Sequence, residues 1–105
     1  MIGNFLNEVN SILNKYSETK IDKLLRGMQC NYFTETDAAG NDTTEDWEDC
    51  FEIEKKLNSI VMQHLYIFSN FIQEFKRNYS GFYEINEIPT IKSVSVIAVK
   101  LYQNK

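Results

Sequence analysis

The sequence predicts a mainly helical α+β fold, in which a compact helical domain has a long central helix and a C-terminal β-hairpin. Apolar residues recur at helical spacing over residues 5–28 and over residues 47–75. The last quarter of the chain is rich in β-branched residues, which favour strands. At 105 residues, 43% of them hydrophobic, the chain is expected to form one domain over residues 1–105. An all-α bundle is the alternative.

The first two helices are each predicted by one apolar stripe. The first stripe contains Phe5, Leu6, Val9, Ile12, Leu13 and Tyr16. The second contains Ile21, Leu24, Leu25 and Met28. Thr19 stands three residues before Asp22 and predicts a capping box at the start of the second helix. Gly27 and the β-favouring segment that follows predict that this helix ends near Gln29.

A loop over residues 34–43 is predicted to lead into a long helix from Glu45 to Arg77. The apolar stripe of this helix contains Trp47, Cys50, Ile53, Leu57, Ile60, Val61, His64, Ile67, Phe68, Phe71 and Phe75. Almost the whole circumference between Ile60 and Phe68 is apolar, which is typical of a helix packed on more than one side. A helix of this length would span about 45 Å. Because that is long for so small a domain, a break is expected near Asn58 and Ser59.

The final segment admits two interpretations. Its sequences SGFYEINEIP and SVSVIAVKLY predict a β-hairpin, to which CNYFT at residues 30–34 would add a third strand. A helical stripe is also present, made of Ile91, Val94, Ala98, Leu101 and Tyr102. Whether residues 81–102 form strands or a helix stays open at this point.

Targeting and redox features predict a cytoplasmic protein without a membrane span. No apolar window approaches the roughly 20 residues that a transmembrane helix needs. The N-terminal sequence MIGNFLNEVN lacks the basic and apolar regions of a secretory signal. Cys30 and Cys50 are interpreted as free, buried thiols.

Charge is distributed unevenly along the chain. Residues 35–54 contain nine acidic residues and no basic ones, whereas the rest contains six acidic and eleven basic residues. The net charge of −4 therefore combines a local charge of −9 with +5 elsewhere. Thr43 or Thr44 is expected to cap the long helix, and acidic residues in its first turn complement the helix dipole. The other carboxylates exceed what that role requires.

No catalytic, cofactor or metal site is predicted. His64 is the only histidine, and the sequence gives it neither an orienting partner nor a nucleophile. Polar groups converging on His64 would favour an enzyme. The segment ETDAAGNDTTED, residues 35–46, resembles a calcium loop but has Ala39 at the fifth position and Asp46 at the twelfth. Direct nucleic-acid binding is not expected, since the chain has only two arginines.

The excess acid has two interpretations: a solvated loop with a well-capped helix N-terminus, or a binding surface for a basic protein. Complementary charge accelerates association, and an aromatic residue beside it serves as an anchor. The candidate partner-binding residues are Glu35, Asp37, Asp42, Glu45, Asp46, Trp47, Glu48, Asp49 and Glu52. Phe, Tyr, Met, Ile, Asn and Lys make up 47 residues, whereas Gly, Ala, Arg and Pro make up 10. That skew is typical of an AT-rich gene, as found in phage-borne or island-borne bacterial DNA.

In size, acidity and composition, and without a diagnostic motif, the whole chain resembles the immunity proteins of bacterial toxin systems of the colicin and contact-dependent growth inhibition types. The resemblance implies a stoichiometric inhibitor, not an enzyme, that covers the basic cleft of a toxin, in particular a nuclease. The acidic residues would then stand where nucleic-acid phosphates bind. The alternative is a helical regulatory or adaptor protein that acts as a homo-oligomer through its long apolar helix.

Overall fold

A computed structural model describes residues 2–30 and 48–104. Within those ranges the chain forms five α-helices and no strand. The helices are α1 (Ile2–Leu13), α2 (Glu18–Cys30), α3 (Glu48–Ile67), α4 (Phe71–Asn78) and α5 (Ile91–Gln103). The mainly helical prediction is therefore confirmed, and the all-α alternative fits the described residues.

Helices α1 and α2 follow the predicted stripes. In α1 the buried residues are Phe5, Val9 and Leu13, and in α2 they are Ile21, Leu24, Gly27 and Met28. The predicted cap was wrong, because α2 begins at Glu18, before Thr19. The Lys20 amide instead donates to the Ser17 hydroxyl at 3.2 Å, so Ser17 satisfies one of the free N–H groups of the first turn.

The predicted long helix is two helices within the described residues. The first, α3, runs through Asn58 and Ser59, so the break expected there was wrong. The interruption lies at residues 68–70, where the Phe71 amide donates to the Phe68 carbonyl at 3.1 Å. Beyond this interruption, Phe71 and Phe75 pack edge-on against Phe5 of α1, with ring centroids 5.1 and 5.8 Å away.

The predicted C-terminal hairpin was wrong. Residues 91–103 form α5, which buries Val94, Ser95, Ile97, Ala98 and Val99. Its start is fixed by a capping box: the Ser93 amide donates to the Thr90 hydroxyl at 3.0 Å, and the Thr90 amide donates to the Ser93 hydroxyl at 2.8 Å. Burial of one helical face outweighs the β-propensity of its valines and isoleucines, which is a weak, context-dependent preference. The proposed third strand, apart from Cys30 at the end of α2, lies outside the described residues.

The buried side chains form one cluster in which α3 and α5 are central. Helix α3 contacts α1, α2, α4 and α5, and α5 also contacts α1 and α2. Within this contact the fully buried Ser95 hydroxyl donates to the Asn58 Oδ1 atom at 2.8 Å. This bond fixes the register of α5 on α3. None of the described helices is long and apolar enough to cross a bilayer.

The two cysteines differ in environment. Cys50 is buried, and this burial raises the pKa of its thiol against the opposing effect of Lys20 and Lys23. Cys30 is exposed at the end of α2, so the expectation that both thiols are buried was wrong.

The half-buried Glu54 gives a testable pH dependence of stability. Burial raises the pKa of its carboxyl group, and Lys92 opposes this shift. Because the folded pKa is raised, the folded state favours the protonated group. The resulting stability is present below the unfolded pKa and is lost as the pH rises through the folded pKa. We expect Glu54→Gln to raise Tm at pH 7 by about 2–4 °C at most, and to change it little at pH 4.

The measurement is thermal unfolding followed by circular dichroism at both pH values. Glu52→Gln is the matched control, because Glu52 lies on the same helix with an exposed carboxylate. If Glu54→Gln raised Tm above that of the native chain by more at pH 4 than at pH 7, the raised pKa assigned to Glu54 would be contradicted.

Candidate functional site

An acidic surface lies at the start of α3. Glu48, Asp49 and Glu52 are all exposed there, and we call these three residues the acidic arc. Glu48 and Asp49 occupy the first helical turn, where negative charge interacts favourably with the helix dipole. Their i, i+3 and i+4 spacing also makes the three carboxylates mutually repulsive.

Two of these carboxylates have lysine partners, which the charge pattern had not predicted. Lys20 Nζ of α2 lies 3.1 Å from Asp49 Oδ2, and Lys55 Nζ lies 3.1 Å from Glu52 Oε1. The Asp49 side chain is 80% exposed and that of Glu52 is 59% exposed, so both pairs are largely hydrated. Glu48 has no ion-pair partner within residues 2–30 and 48–104. Exposed pairs of this kind contribute little stability, and their carboxylates remain able to exchange partners.

Only part of the predicted partner-binding set can be placed. The acidic arc contains three of the nine residues. The other six, Glu35, Asp37, Asp42, Glu45, Asp46 and Trp47, lie outside the described residues, as does the calcium-loop-like segment at residues 35–46.

His64 forms a polar contact that sequence analysis missed. Its Nε2 atom lies 2.5 Å from Oε2 of Glu8 on α1. The imidazole is 9% exposed and packs against Phe5, Phe68 and Phe71, with ring centroids 5.4–5.8 Å away. Its Nδ1 atom is buried without a hydrogen-bond partner among the described residues. In the sequence, Glu8 was one of several polar residues on the outer face of α1, and nothing local connected it with a residue 56 positions away.

An open groove of about 480 Å³ lies beside this pair. Its walls are formed by Asn4, Asn7, Glu8, Gln63, His64 and Ile67. Polar groups therefore converge on His64, as an enzyme would require, but the lining includes no serine, threonine, cysteine or lysine. The groove offers the side-chain amides of Asn4, Asn7 and Gln63 for hydrogen bonding, beside the carboxylate–imidazole pair. This pair joins α1 to α3 at the edge of the aromatic cluster.

Several large apolar side chains are exposed. On α3 these are Phe51, Met62 and Tyr66, and Ile67 at its end is 67% exposed. The prediction that Ile67 lies on the buried stripe was therefore wrong. Between α4 and α5 the exposed residues are Phe82, Ile85 and Ile88.

Comparisons with protein-family models, curated proteins and solved structures found no match to this chain. Among the residues that the structure describes, no three His, Cys, Asp or Glu side chains are close enough together to hold a metal ion.

Proposed function

We propose that this protein is an immunity-type stoichiometric inhibitor, which binds a basic bacterial toxin through an acidic surface and blocks the toxin's active site. The main support for this proposal is that Glu48, Asp49 and Glu52 are exposed. They lie at the end of a sequence segment with nine carboxylates and no basic residue. A nuclease is the favoured toxin class, because its substrate cleft binds phosphates through lysine and arginine. Carboxylates on the inhibitor make charge-assisted hydrogen bonds with the same side chains.

The ion pairs in the acidic arc are compatible with this role. A partner arginine that approaches Asp49 or Glu52 competes with a lysine whose pair is exposed and therefore weak. Binding then exchanges one hydrated pair for a partly desolvated pair at the interface. Such an interface should associate rapidly at low salt and more slowly at high salt.

The first experiment tests inhibition directly. The gene adjoining that of this chain is expressed inducibly in a bacterial host, alone and together with this chain. We expect the adjoining gene product to arrest growth, and this chain to restore growth by forming a one-to-one complex. An adjoining product that is harmless, or whose toxicity this chain does not change, contradicts the proposal.

Charge reversal at the acidic arc tests the binding surface. We expect Glu48→Lys together with Glu52→Lys to weaken the complex at least tenfold, and to reduce the salt dependence of the association rate. The measurement is stopped-flow association at several salt concentrations.

The matched control is Glu18→Lys together with Asp22→Lys. These two exposed acidic residues have the same i, i+4 spacing in the first turns of α2. Equal affinity losses from the two double variants would show that only net charge matters. An unchanged affinity for the α3 variant would remove the acidic arc from the interface.

A homo-oligomeric adaptor is a second candidate, favoured by the exposed Met62 and Tyr66 on α3. Multi-angle light scattering on the isolated chain separates the two functions. A stable dimer that Tyr66→Ser converts to a monomer favours the adaptor, whereas a monomer favours the inhibitor.

A further inference from the structure

The loop between α4 and α5, residues 83–90, exposes two isoleucines. The Ile85 residue is 93% exposed and the Ile88 residue 79% exposed. Single exposed apolar residues are common on protein surfaces. This pair differs because hydrogen bonds to the surrounding helices fix the backbone that carries it.

Lys76 of α4 fastens the middle of the loop. Its Nζ atom donates to the Ile85 carbonyl at 3.3 Å and to the Glu87 carbonyl at 2.5 Å. A turn within the loop adds two more bonds: the Glu84 amide donates to the Glu87 carboxylate at 3.2 Å, and the Glu87 amide donates to the Glu84 carbonyl at 3.1 Å.

Both ends of the loop are also fastened. At its start the half-buried Tyr83 packs against the core, and its hydroxyl lies 3.4 Å from the Ser93 hydroxyl. At its end the Thr90 and Ser93 capping box fixes the entry into α5. The loop therefore holds Ile85 and Ile88 outward while its backbone is bonded inward. A preorganised conformation of this kind reduces the conformational entropy that is lost on binding.

The loop leads into α5, which packs beside α3. The bond between Ser95 and Asn58 sets α5 beside α3, and Lys92 is close enough to Glu54 to affect its pKa. Ile88 precedes Ile91 by three residues, so at most about 11 Å of chain separates it from the start of α5. Glu54 follows Glu52 on α3 by two residues, which is about 200° around the helix, so the loop and the acidic arc adjoin different sides of α3. A partner that contacts both must therefore extend around the start of α3.

The size, shape and charge of the loop indicate which kind of partner binds it. Two protruding isoleucines offer only a fraction of the roughly 800 Å² per partner that a stable interface buries. A second copy meeting this convex loop about a two-fold axis would contact only the same small patch. Residues 80–90 contain two acidic residues, Glu84 and Glu87, and no basic residue, so the loop itself is negative, whereas Lys76 and Lys92 beside it are positive. These features fit an apolar pocket with a basic rim on a larger protein.

We propose that this loop is a preformed apolar contact, which inserts Ile85 and Ile88 into an apolar pocket of the basic toxin. The identity of the partner rests on the proposed function. The acidic arc accelerates association, and the two isoleucines slow dissociation, because apolar burial acts after the partners have met.

The experiment uses the adjoining gene product, made catalytically inactive, and surface plasmon resonance. We expect Ile85→Ser together with Ile88→Ser to leave Tm unchanged and to weaken the complex at least tenfold through faster dissociation. The association rate and its salt dependence should stay close to those of the native chain. Ile67→Ser is the control, because Ile67 is an exposed isoleucine outside the loop.

A second variant tests the fastening of the loop. Lys76→Gln removes the ammonium group that binds the two carbonyls and leaves both isoleucines in place. It also makes the protein more acidic, which by charge alone would strengthen binding to a basic partner. A several-fold weaker complex therefore supports the preformed loop, and equal or tighter binding contradicts it.

The outcomes separate this inference from the proposed function. If charge reversal weakens the complex while the isoleucine variant binds normally, the loop is not a contact and the inhibitor function stands. If Ile67→Ser causes the same loss as the double variant, the loop has no special role. If the isolated chain dimerises through Ile85 and Ile88, the occupant is a second copy. If the native chain does not bind the adjoining product, both proposals fail.

Discussion

The Phe71→Ala variant is expected to lose about 3–5 kcal/mol of unfolding free energy, the usual cost of deleting a buried phenylalanine ring. Phe71 is fully buried at the start of α4. Its ring centroid lies 5.1 Å from that of Phe5, 5.4 Å from that of His64 and 6.0 Å from that of Phe75. The truncation removes contacts with α1, with α3 and with the next turn of α4 at once. Small domains are stable by only about 5–15 kcal/mol, so this loss is a large share of the total.

Urea unfolding followed by circular dichroism measures the effect. Phe82→Ala is the control, because Phe82 is 41% exposed and lies outside the buried cluster. We expect the control to cost less than about 1 kcal/mol. A loss for Phe71→Ala no greater than that of the control would contradict the central role of the aromatic cluster.

The aromatic cluster also supports the exposed loop. An isolated helix needs about 12–15 residues to be even marginally stable, and α4 has eight. The position of α4 therefore depends on the burial of Phe71 and Phe75. Lys76, whose Nζ atom donates hydrogen bonds to the Ile85 and Glu87 carbonyls of the loop at residues 83–90, lies on this helix. Packing at Phe71 should consequently control how firmly Ile85 and Ile88 are presented.

The sequence predicted the amphipathic helices more successfully than their boundaries. Apolar spacing identified α1 and α2 because one buried face determines each of them. The same signal continued through Ile67, Phe68 and Phe71, and so concealed the interruption at residues 68–70. Asn58 was taken for a breaking residue, yet it lies inside α3, where its side chain accepts a hydrogen bond from Ser95. A polar residue inside a helix does not destabilise the fold once its side chain has a hydrogen-bond partner. The partner of Asn58 is Ser95, 37 residues further along the chain, so local sequence did not reveal it.

The C-terminal error had a different origin. Val94, Val96, Ile97 and Val99 favour strands as individual residues, but the helical stripe and the Thr90–Ser93 cap favour a helix. Burial against α3 decided between them, because tertiary packing commonly overrides weak local propensity. The acidic arc was predictable from charge, whereas its lysine partners Lys20 and Lys55 required knowledge of the packing and of side-chain geometry.

The Glu8–His64 pair gives the second large stability effect. Glu8→Leu removes the carboxylate that accepts from His64 Nε2, and so leaves both nitrogens of a buried imidazole without a protein partner. An unsatisfied buried polar group costs about 1–3 kcal/mol, and we expect the unfolding free energy to fall by that amount. Glu8→Gln keeps an oxygen that can accept the same hydrogen bond, so its cost should be smaller, below about 1 kcal/mol.

A double-mutant cycle isolates the contact from other effects of these substitutions. A leucine at position 8 also gains apolar contact in the groove beside Ile67, which partly offsets its cost. In a His64→Phe background, the polar penalty is absent and only this apolar gain remains. Glu8→Leu should therefore be neutral or stabilising there, and the coupling energy from urea unfolding should be about 1–3 kcal/mol. Equal costs in the two backgrounds would show that Glu8 and His64 stabilise the fold independently, so that α1 is held on α3 by apolar packing and not by this pair.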